Sequence, residues 1–208
     1  MSSRRGVLLH GEWWDVSTVD EDTRREMRRS IEALEEIDVV RSSSTGADVH
    51  DANALIVLIV LDDFQSLTHY RSQPAYRAMA EYISPLGLYP DKMMQFNIEM
   101  PADAPAVAPH PTLLMHGCQV DAAKVGDDVR AELITLMMQL GRGDEVRTAT
   151  AGHDLVATDA ISQVVFLDSG EQLKQHVAKP AQSELDALVA REHLPRTQFS
   201  LELPRAPW

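Results

Sequence analysis

The tetrapeptide Leu8-Leu9-His10-Gly11 recurs as Leu114-Met115-His116-Gly117, 106 residues further along the chain. Identities continue at the same spacing, for example Leu61-Asp62 with Leu167-Asp168. Between residues 7 and 86, roughly a quarter of the positions are identical without a gap, where chance gives about a twentieth. The chain is therefore predicted to contain two copies of one structural unit.

The end of the unit repeats at a different spacing. Gln95-Phe96-Asn97-Ile98-Glu99-Met100-Pro101 matches Gln198-Phe199-Ser200-Leu201-Glu202-Leu203-Pro204 at a spacing of 103, so the second copy is about three residues shorter. The segment between the copies, 101–111, contains four prolines, which fix φ and favour an extended, semi-rigid linker. The predicted domains are a first repeat at 1–100, a Pro/Ala linker at 101–111 and a second repeat at 112–208.

Both copies have the same predicted order of elements. In the first copy, the spacing of apolar residues predicts strands at 6–14, 39–45, 54–61 and 92–100 and helices at 20–37, 64–71 and 75–83. The order β-α-β-β-α-β predicts an α+β fold of two ferredoxin-like repeats. Because helices cover only one face of such a sheet, we expect the two sheets to pack face to face and form an intramolecular dimeric α/β barrel.

Composition excludes several classes of protein. The 208 residues include 19 Lys and Arg against 32 Asp and Glu, and a net charge of −13 argues against nucleic acid as a partner. The single cysteine, Cys118, excludes a disulfide framework and a cysteine-based zinc site, and the histidines have no spacing typical of a metal site. We expect no metal and no cofactor.

The longest apolar run, 54–61, is far shorter than the ~20 residues that cross a bilayer. The N-terminus lacks the apolar stretch of a signal peptide. We therefore expect a cytoplasmic protein that has a small-molecule substrate and no membrane partner. The chain would form a pseudo-dimer by itself, and a further homodimer of two chains stays open.

Three segments carry a resemblance to a known family. The first strand, the apolar third strand and the segment Leu67-Thr68-His69-Tyr70-Arg71-Ser72-Gln73-Pro74-Ala75-Tyr76 resemble the stress-responsive A/B barrel (Dabb) family of the dimeric α/β-barrel superfamily, in a tandem arrangement. The resemblance covers nearly all of both halves. Members usually carry His-Pro-x-His where this chain has Gln73-Pro74-Ala75-Tyr76 and Lys179-Pro180-Ala181-Gln182, so both motif histidines are replaced in both copies.

The resemblance extends distantly to olivetolic acid cyclase, a polyketide cyclase of that family without metal or organic cofactor. The position of its catalytic tyrosine is held here by Tyr70 and His176, and the position of its motif histidine by Tyr76 and Gln182. The resemblance implies acid–base chemistry on an aromatic or polyketide-like molecule. The altered set does not carry over the identical reaction.

His10 and His116 occupy the same strand position in the two copies. A neutral imidazole is a general acid or base near pH 7. Because side chains alternate along a strand, Leu8, His10 and Glu12 share one face, and the resemblance places the helices and a ligand cavity on that face. The alternative is a structural histidine that is repeated because the fold is repeated.

The candidate site residues fall into two groups. Catalytic candidates are His10, Tyr70, Tyr76, His116 and His176, and substrate-binding candidates are Leu8, Glu12, Trp14 and Gln163. Two alternatives stay open. The tyrosines could bury their apolar bodies and leave their hydroxyls at the surface, and Gln163 could mark an exposed or edge part of its strand.

Two functions follow from these residues. The first is a cofactor-independent cyclase, lyase or isomerase that uses His/Tyr acid–base chemistry. A cofactor-free monooxygenase is its close relative, because related barrels oxidise polyketide quinols. The second is a non-catalytic ligand-binding or stress-responsive barrel. Haem binding, with His10 or His116 as axial ligand, also stays open because haem-binding barrels occur in the superfamily.

Overall fold

The computed structural model describes residues 6–88, 92–102, 104, 113–204 and 207. Over these ranges the chain forms eight strands and six α-helices. The first half contains β1 (Val7–Asp15), α1 (Glu21–Glu32), β2 (Val40–Ala47), β3 (Ala54–Leu61), α2 (Ser66–Ser72), α3 (Pro74–Ile83) and β4 (Met93–Met100). The second half contains β5 (Leu114–Asp121), α4 (Asp127–Leu140), β6 (Val146–His153), β7 (Ala160–Leu167), α5 (Gly170–Val177), α6 (Pro180–Arg191) and β8 (Arg196–Glu202).

The predicted fold class is confirmed. Each half is a four-stranded antiparallel sheet, with strand orders β2-β3-β1-β4 and β6-β7-β5-β8. All eight residues of β3 are buried, as its continuous apolar sequence predicts. The helix predicted at 20–37 ends as an α-helix at Glu32 and continues as a 3₁₀ turn over Ala33–Glu36. Its N-cap is Asp20, whose side chain accepts a hydrogen bond from the Thr23 N–H at 2.9 Å.

The two halves repeat each other down to the strand register. His10 lies opposite Ile59 in the first sheet, and His116 lies opposite Val165 in the second. A β-bulge between Val40 and Ser42 recurs at Val146 and Thr148. The last strands also correspond, because His10 lies opposite Asn97 and His116 opposite Ser200. Residues of β4 and β8 that are 103 positions apart in the sequence therefore occupy equivalent places in the two sheets.

The two sheets pack against each other and leave the helices outside. The shared core contains Leu9, Val60 and Ile98 from one sheet and Met115 and Phe166 from the other. At its centre the rings of Phe96 and Phe199 stack with centroids 5.3 Å apart.

Each edge of this sandwich is closed by a hairpin loop of one half bonded to the last strand of the other half. The Val49 N–H donates to the Ser200 carbonyl, and the Leu155 N–H donates to the Asn97 carbonyl, both at 2.9 Å. The predicted linker at 101–111 lies outside the described residues, apart from 101, 102 and 104. In the part of the chain that is described, no helix combines the length and the apolar character needed to cross a membrane.

The glycine of each repeated His-Gly pair is required by this packing. Gly11 lies opposite Phe96, and Gly117 lies opposite Phe199. A Cβ at either glycine would overlap with the aromatic ring of its partner. The repeated glycines therefore let the two rings lie flat over β1 and β5 and reach each other across the sheets.

We expect Gly117→Ala to lower the free energy of unfolding by about 1–3 kcal/mol, because the added methyl must displace a packed ring in the core. Urea unfolding measures the change. Gly152→Ala is the matched control, since a Cβ there meets no atom within 4 Å, and this variant should be neutral or slightly more stable. Equal destabilisation by the two variants would contradict the steric role of Gly117.

Candidate functional site

The helix-facing side of the first sheet carries the predicted residues. Leu8, His10, Glu12 and Trp14 alternate along β1, the inner strand between β3 and β4. Leu8 and Trp14 pack with Tyr70 in the apolar core between this sheet and its helices. The prediction that this face looks toward the helices is correct, and all four β1 side chains are buried.

The His10 imidazole is held at one nitrogen and uncommitted at the other. Its Nδ1 lies 2.8 Å from the Asn97 Oδ1, directly across on β4. Its Nε2 is buried and has no hydrogen-bond partner. An unsatisfied buried polar atom costs about 1–3 kcal/mol, so such an atom calls for an explanation. One explanation is that His10 is a general base, whose free nitrogen accepts a proton from a substrate.

A buried carboxylate lies beside this free nitrogen. The Glu12 Oε1 is 3.5 Å from the His10 Nε2, which is longer than a hydrogen bond, and Glu12 is 3% exposed. The half-buried Gln95, opposite Glu12 on β4, donates from Nε2 to the same oxygen at 2.6 Å. Gln95 thus fixes the carboxylate next to the imidazole.

Two phenols extend the site from the strand toward the surface. The His10 and Tyr70 ring centroids are 5.8 Å apart, and those of Tyr70 and Tyr76 are 4.9 Å apart, both in edge-to-face geometry. Pro74 begins α3 and brings Tyr76 over the end of α2. Tyr70 is 1% exposed, so the alternative with its hydroxyl at the surface is wrong, whereas Tyr76 is half-buried.

Both a negative and a positive charge act on the phenol of Tyr76. Burial raises the pKa of Tyr76, the negative charge of Glu12 raises it further, and the positive charge of Arg71 lowers it. The Arg71 Nε is buried without a hydrogen-bond partner. A phenolate or carboxylate group of a ligand could satisfy this nitrogen. The rings of His10, Tyr70 and Tyr76 thus form a row, with the Glu12 carboxylate beside His10, and Arg71 is near enough to Tyr76 for its charge to act on that phenol.

The second half brings His116 and His176 together, with ring centroids 5.9 Å apart. His116 Nδ1 lies 2.9 Å from the Ser200 Oγ. Burial, followed by the charge of His176, lowers the pKa of His116 to about 3, so His116 is neutral at pH 7. His176 Nδ1 is 3.2 Å from the Glu145 Oε1. Burial also lowers the pKa of His176, and the hydrogen bond that its imidazole donates to Glu145 opposes this effect.

The second half differs from the first at the decisive positions. Cys118 replaces Glu12, and burial raises the pKa of its thiol to about 12. Gln163 is 3% exposed on the inner strand β7, so the edge or exposed alternative is wrong. Its amide donates to the Met137 carbonyl of α4, and the buried Gln182 donates to Asp186 at 2.8 Å. These amides are satisfied within the protein.

Sequence reasoning missed three residues that hold the first-half site: Gln95, Asn97 and Asp154. The first two lie in the repeated segment at spacing 103, and Asp154 repeats Asp48 at spacing 106. Their contacts depend on which strand lies beside β1 and which loop lies beside β4. The repeat itself was the available signal.

A haem does not fit either histidine. An axial ligand needs an open nitrogen above a slot for the macrocycle. His10 Nε2 faces Glu12 at 3.5 Å and Tyr70 packs on its ring, while His116 packs on His176. Among the residues that the structure describes, no three His, Cys, Asp or Glu side chains are grouped so that they could hold a metal ion.

The chain is similar in structure, but not in sequence, to known proteins. No protein-family model matches it, and neither does any curated protein. A candidate monooxygenase from Fusobacterium nucleatum superimposes with a TM-score of 0.64 at 10% identity, over 95% of this chain and 92% of that chain. A candidate monooxygenase from Lactobacillus acidophilus gives 0.56 at 11%, over 95% and 93%. An anthrone oxidase-like protein gives 0.55 at 11%, over 97% and 93%. The chain shares its fold with these proteins over nearly its whole length.

The lowered pKa of the buried His116 allows a prediction of how the free energy of unfolding depends on pH. Its pKa is about 3 in the folded protein and near 6.5 when unfolded. Between these values the unfolded chain binds a proton that the folded chain does not. Stability contributed by this residue is therefore complete above pH 6.5 and falls by about 1.4 kcal/mol per pH unit as the pH drops toward 3.

We expect His116→Gln to remove one proton's worth of this slope when the free energy of unfolding is measured from pH 7.5 to 4.5. His153→Gln, at an exposed position, is the control and should keep the wild-type slope. An unchanged slope in His116→Gln would show that His116 titrates normally in the folded protein.

Proposed function

We propose that the chain is a cofactor-independent acid–base enzyme whose working centre is in the first half, and that it oxidises a phenolic aromatic ketone of the anthrone type with dioxygen. The observation that carries the proposal is the His10 Nε2, which is buried, without a hydrogen-bond partner and 3.5 Å from the Glu12 carboxylate. Proton abstraction needs such a base, with a free nitrogen and a carboxylate beside it. The His176 Nε2 of the second half is also buried without a partner, but the ring that packs on His176 is the neutral His116, where the first half has Tyr70 beside His10.

The first step of the proposed reaction is removal of a proton from a carbon beside a carbonyl group. With the Asn97 oxygen facing Nδ1, His10 carries its hydrogen there and its lone pair on Nε2. The proton of the substrate passes to Nε2, and the Glu12 carboxylate stabilises the imidazolium that forms. Arg71 and the phenols of Tyr70 and Tyr76 would stabilise the negative oxygen of the enolate.

The fate of this carbanion decides the reaction class. In the oxidase the carbanion attacks dioxygen, and the resulting hydroperoxide anion takes the proton back from His10. Loss of water then converts the CH₂ group into C=O, with one oxygen atom in the product and one in water. In the cyclase, lyase or isomerase, the carbanion reacts within the substrate instead. The full-length resemblance to candidate monooxygenases and to an anthrone oxidase-like protein favours the reaction with dioxygen.

A non-catalytic barrel is the competing function, and one observation favours it. His10 and Tyr70 are each 1% exposed, so a substrate reaches the base only after neighbouring side chains move. In the second half, the amides of Gln163 and Gln182 already bond within the protein. That half fits a supporting role in either case.

Oxygen uptake with anthrone as substrate tests the proposal. We expect Glu12→Gln to lower kcat by about 100-fold, because a neutral amide cannot stabilise the imidazolium. His10→Gln should lose at least as much. Cys118→Ser, at the position equivalent to Glu12, is the matched control and should stay within about twofold of wild type.

The products separate the alternatives. Consumption of one dioxygen per ketone formed supports the oxidase. Turnover of a polyketide-like acid without oxygen uptake would replace the oxidase with a cyclase. Failure of anthrones, phenols and polyketide-like acids to bind or react would leave the non-catalytic barrel.

A further inference from the structure

We propose that the second half completes the first-half site, with Asp154 as a positioning residue that fixes the tautomer of His10 through Asn97. The hydrogen bonds among Asp154, Asn97 and His10 do not depend on which reaction the protein catalyses. Only the expected effect on turnover rests on the proposed function.

The hairpin loop between β6 and β7 forms hydrogen bonds with both the N–H group and the carbonyl group of Asn97. The Asp154 Oδ2 accepts a hydrogen bond from the Asn97 N–H at 2.5 Å, and the Leu155 N–H donates to the Asn97 carbonyl at 2.9 Å. The Asn97 side chain in turn meets His10 Nδ1 at 2.8 Å. The backbone from which the imidazole is oriented is thus held by the other half of the chain.

The Asp154 carboxylate performs two tasks with its two oxygens. Its Oδ1 accepts hydrogen bonds from the N–H groups of Val156 and Ala157, both at 2.8 Å, which shape the loop. Its Oδ2 bonds to Asn97, and the residue is 1% exposed. An asparagine has only one accepting oxygen, so it cannot satisfy both sets of N–H donors.

An equivalent chain of hydrogen bonds runs from the first half to the second, from Asp48 through Ser200 to His116. We call each of these two chains a relay. The Asp48 Oδ1 faces the Ser200 N–H at 3.4 Å, the Val49 N–H donates to the Ser200 carbonyl at 2.9 Å, and the Ser200 hydroxyl meets His116 Nδ1 at 2.9 Å. The two relays differ in the atom that meets the imidazole. An amide oxygen only accepts, so Asn97 keeps the hydrogen on His10 Nδ1. A hydroxyl both donates and accepts, so Ser200 leaves the tautomer of His116 open.

A second difference shows that the two loops are not equivalent supports. Leu155 packs against the helix-side core of the first half, the same core that contains Tyr70. Val49, at the corresponding position, is 45% exposed. The second half therefore adds a side chain to the helix-side core of the first half, whereas the equivalent Val49 of the first half is largely exposed. This direction matches the proposal that the first half holds the working base.

The test compares Asp154→Asn with its counterpart Asp48→Asn. The first readout is the pair of imidazole ¹⁵N shifts of His10 and His116 in long-range ¹H–¹⁵N spectra, which report the tautomer of each ring. We expect Asp154→Asn to move the two His10 shifts toward each other and to leave His116 unchanged. Asp48→Asn should change only His116.

The second readout is steady-state oxidation of anthrone. Asp154→Asn should lower kcat tenfold or more with KM within about twofold, because the base is misoriented and not removed. Asp48→Asn should keep kcat within about twofold. If anthrone is not turned over by wild type, the proposed function fails and the ¹⁵N shifts alone decide the positioning role.

A His10 spectrum in Asp154→Asn that is identical to wild type would overturn the proposal, as would an equal loss of kcat in the two variants. If Asp154→Asn does not fold, Asn97→Ser gives the decisive comparison, since it converts the first relay into the second. The proposal requires mixed His10 tautomers in Asn97→Ser, and a single unchanged tautomer would refute it.

Discussion

The apolar faces of the two sheets must be covered, and every other feature of the molecule depends on how this is done. Each sheet has helices on one side only, so its other side would expose a row of large apolar side chains to water. The two halves cover each other, with Phe96 stacked on Phe199 at the centre. This packing fixes which residues of β1 and β5 point between the sheets and which point toward the helices. It also brings the last strand of each half beside a hairpin loop of the other.

The same scaffold supports two different polar centres. In the first half, Glu12 and Asn97 surround His10, and two tyrosines lead outward. In the second half a thiol that burial keeps protonated and a hydroxyl occupy the corresponding places beside His116. Because both copies are in one chain, the halves can differ in residues that a symmetric dimer of identical chains would have to share. One half is then free to act as a support for the other.

The sequence was sufficient for the fold and for the orientation of His10, because both follow from local patterns. The repeat defines two units, the apolar run at 54–61 defines the buried strand, and the alternation in β1 places His10 and Glu12 on one face. The partners of these residues could not be predicted, because they come from other parts of the chain. Asn97 and Gln95 meet β1 only because the sheet order places β4 beside it. Asp154 meets Asn97 only because the two halves pack edge to loop.

The most direct test of a catalytic centre in the first half is a crystal structure of the protein with a bound phenolic anthrone. We expect the aromatic rings of the ligand to lie against Tyr70 and Tyr76, with the acidic carbon facing His10 Nε2 and an oxygen atom within hydrogen-bond distance of Arg71. We also expect the space between His116 and His176 to hold no ligand. A ligand found beside His116, or only on the outer surface of the helices, would contradict the assignment of the working centre to the first half.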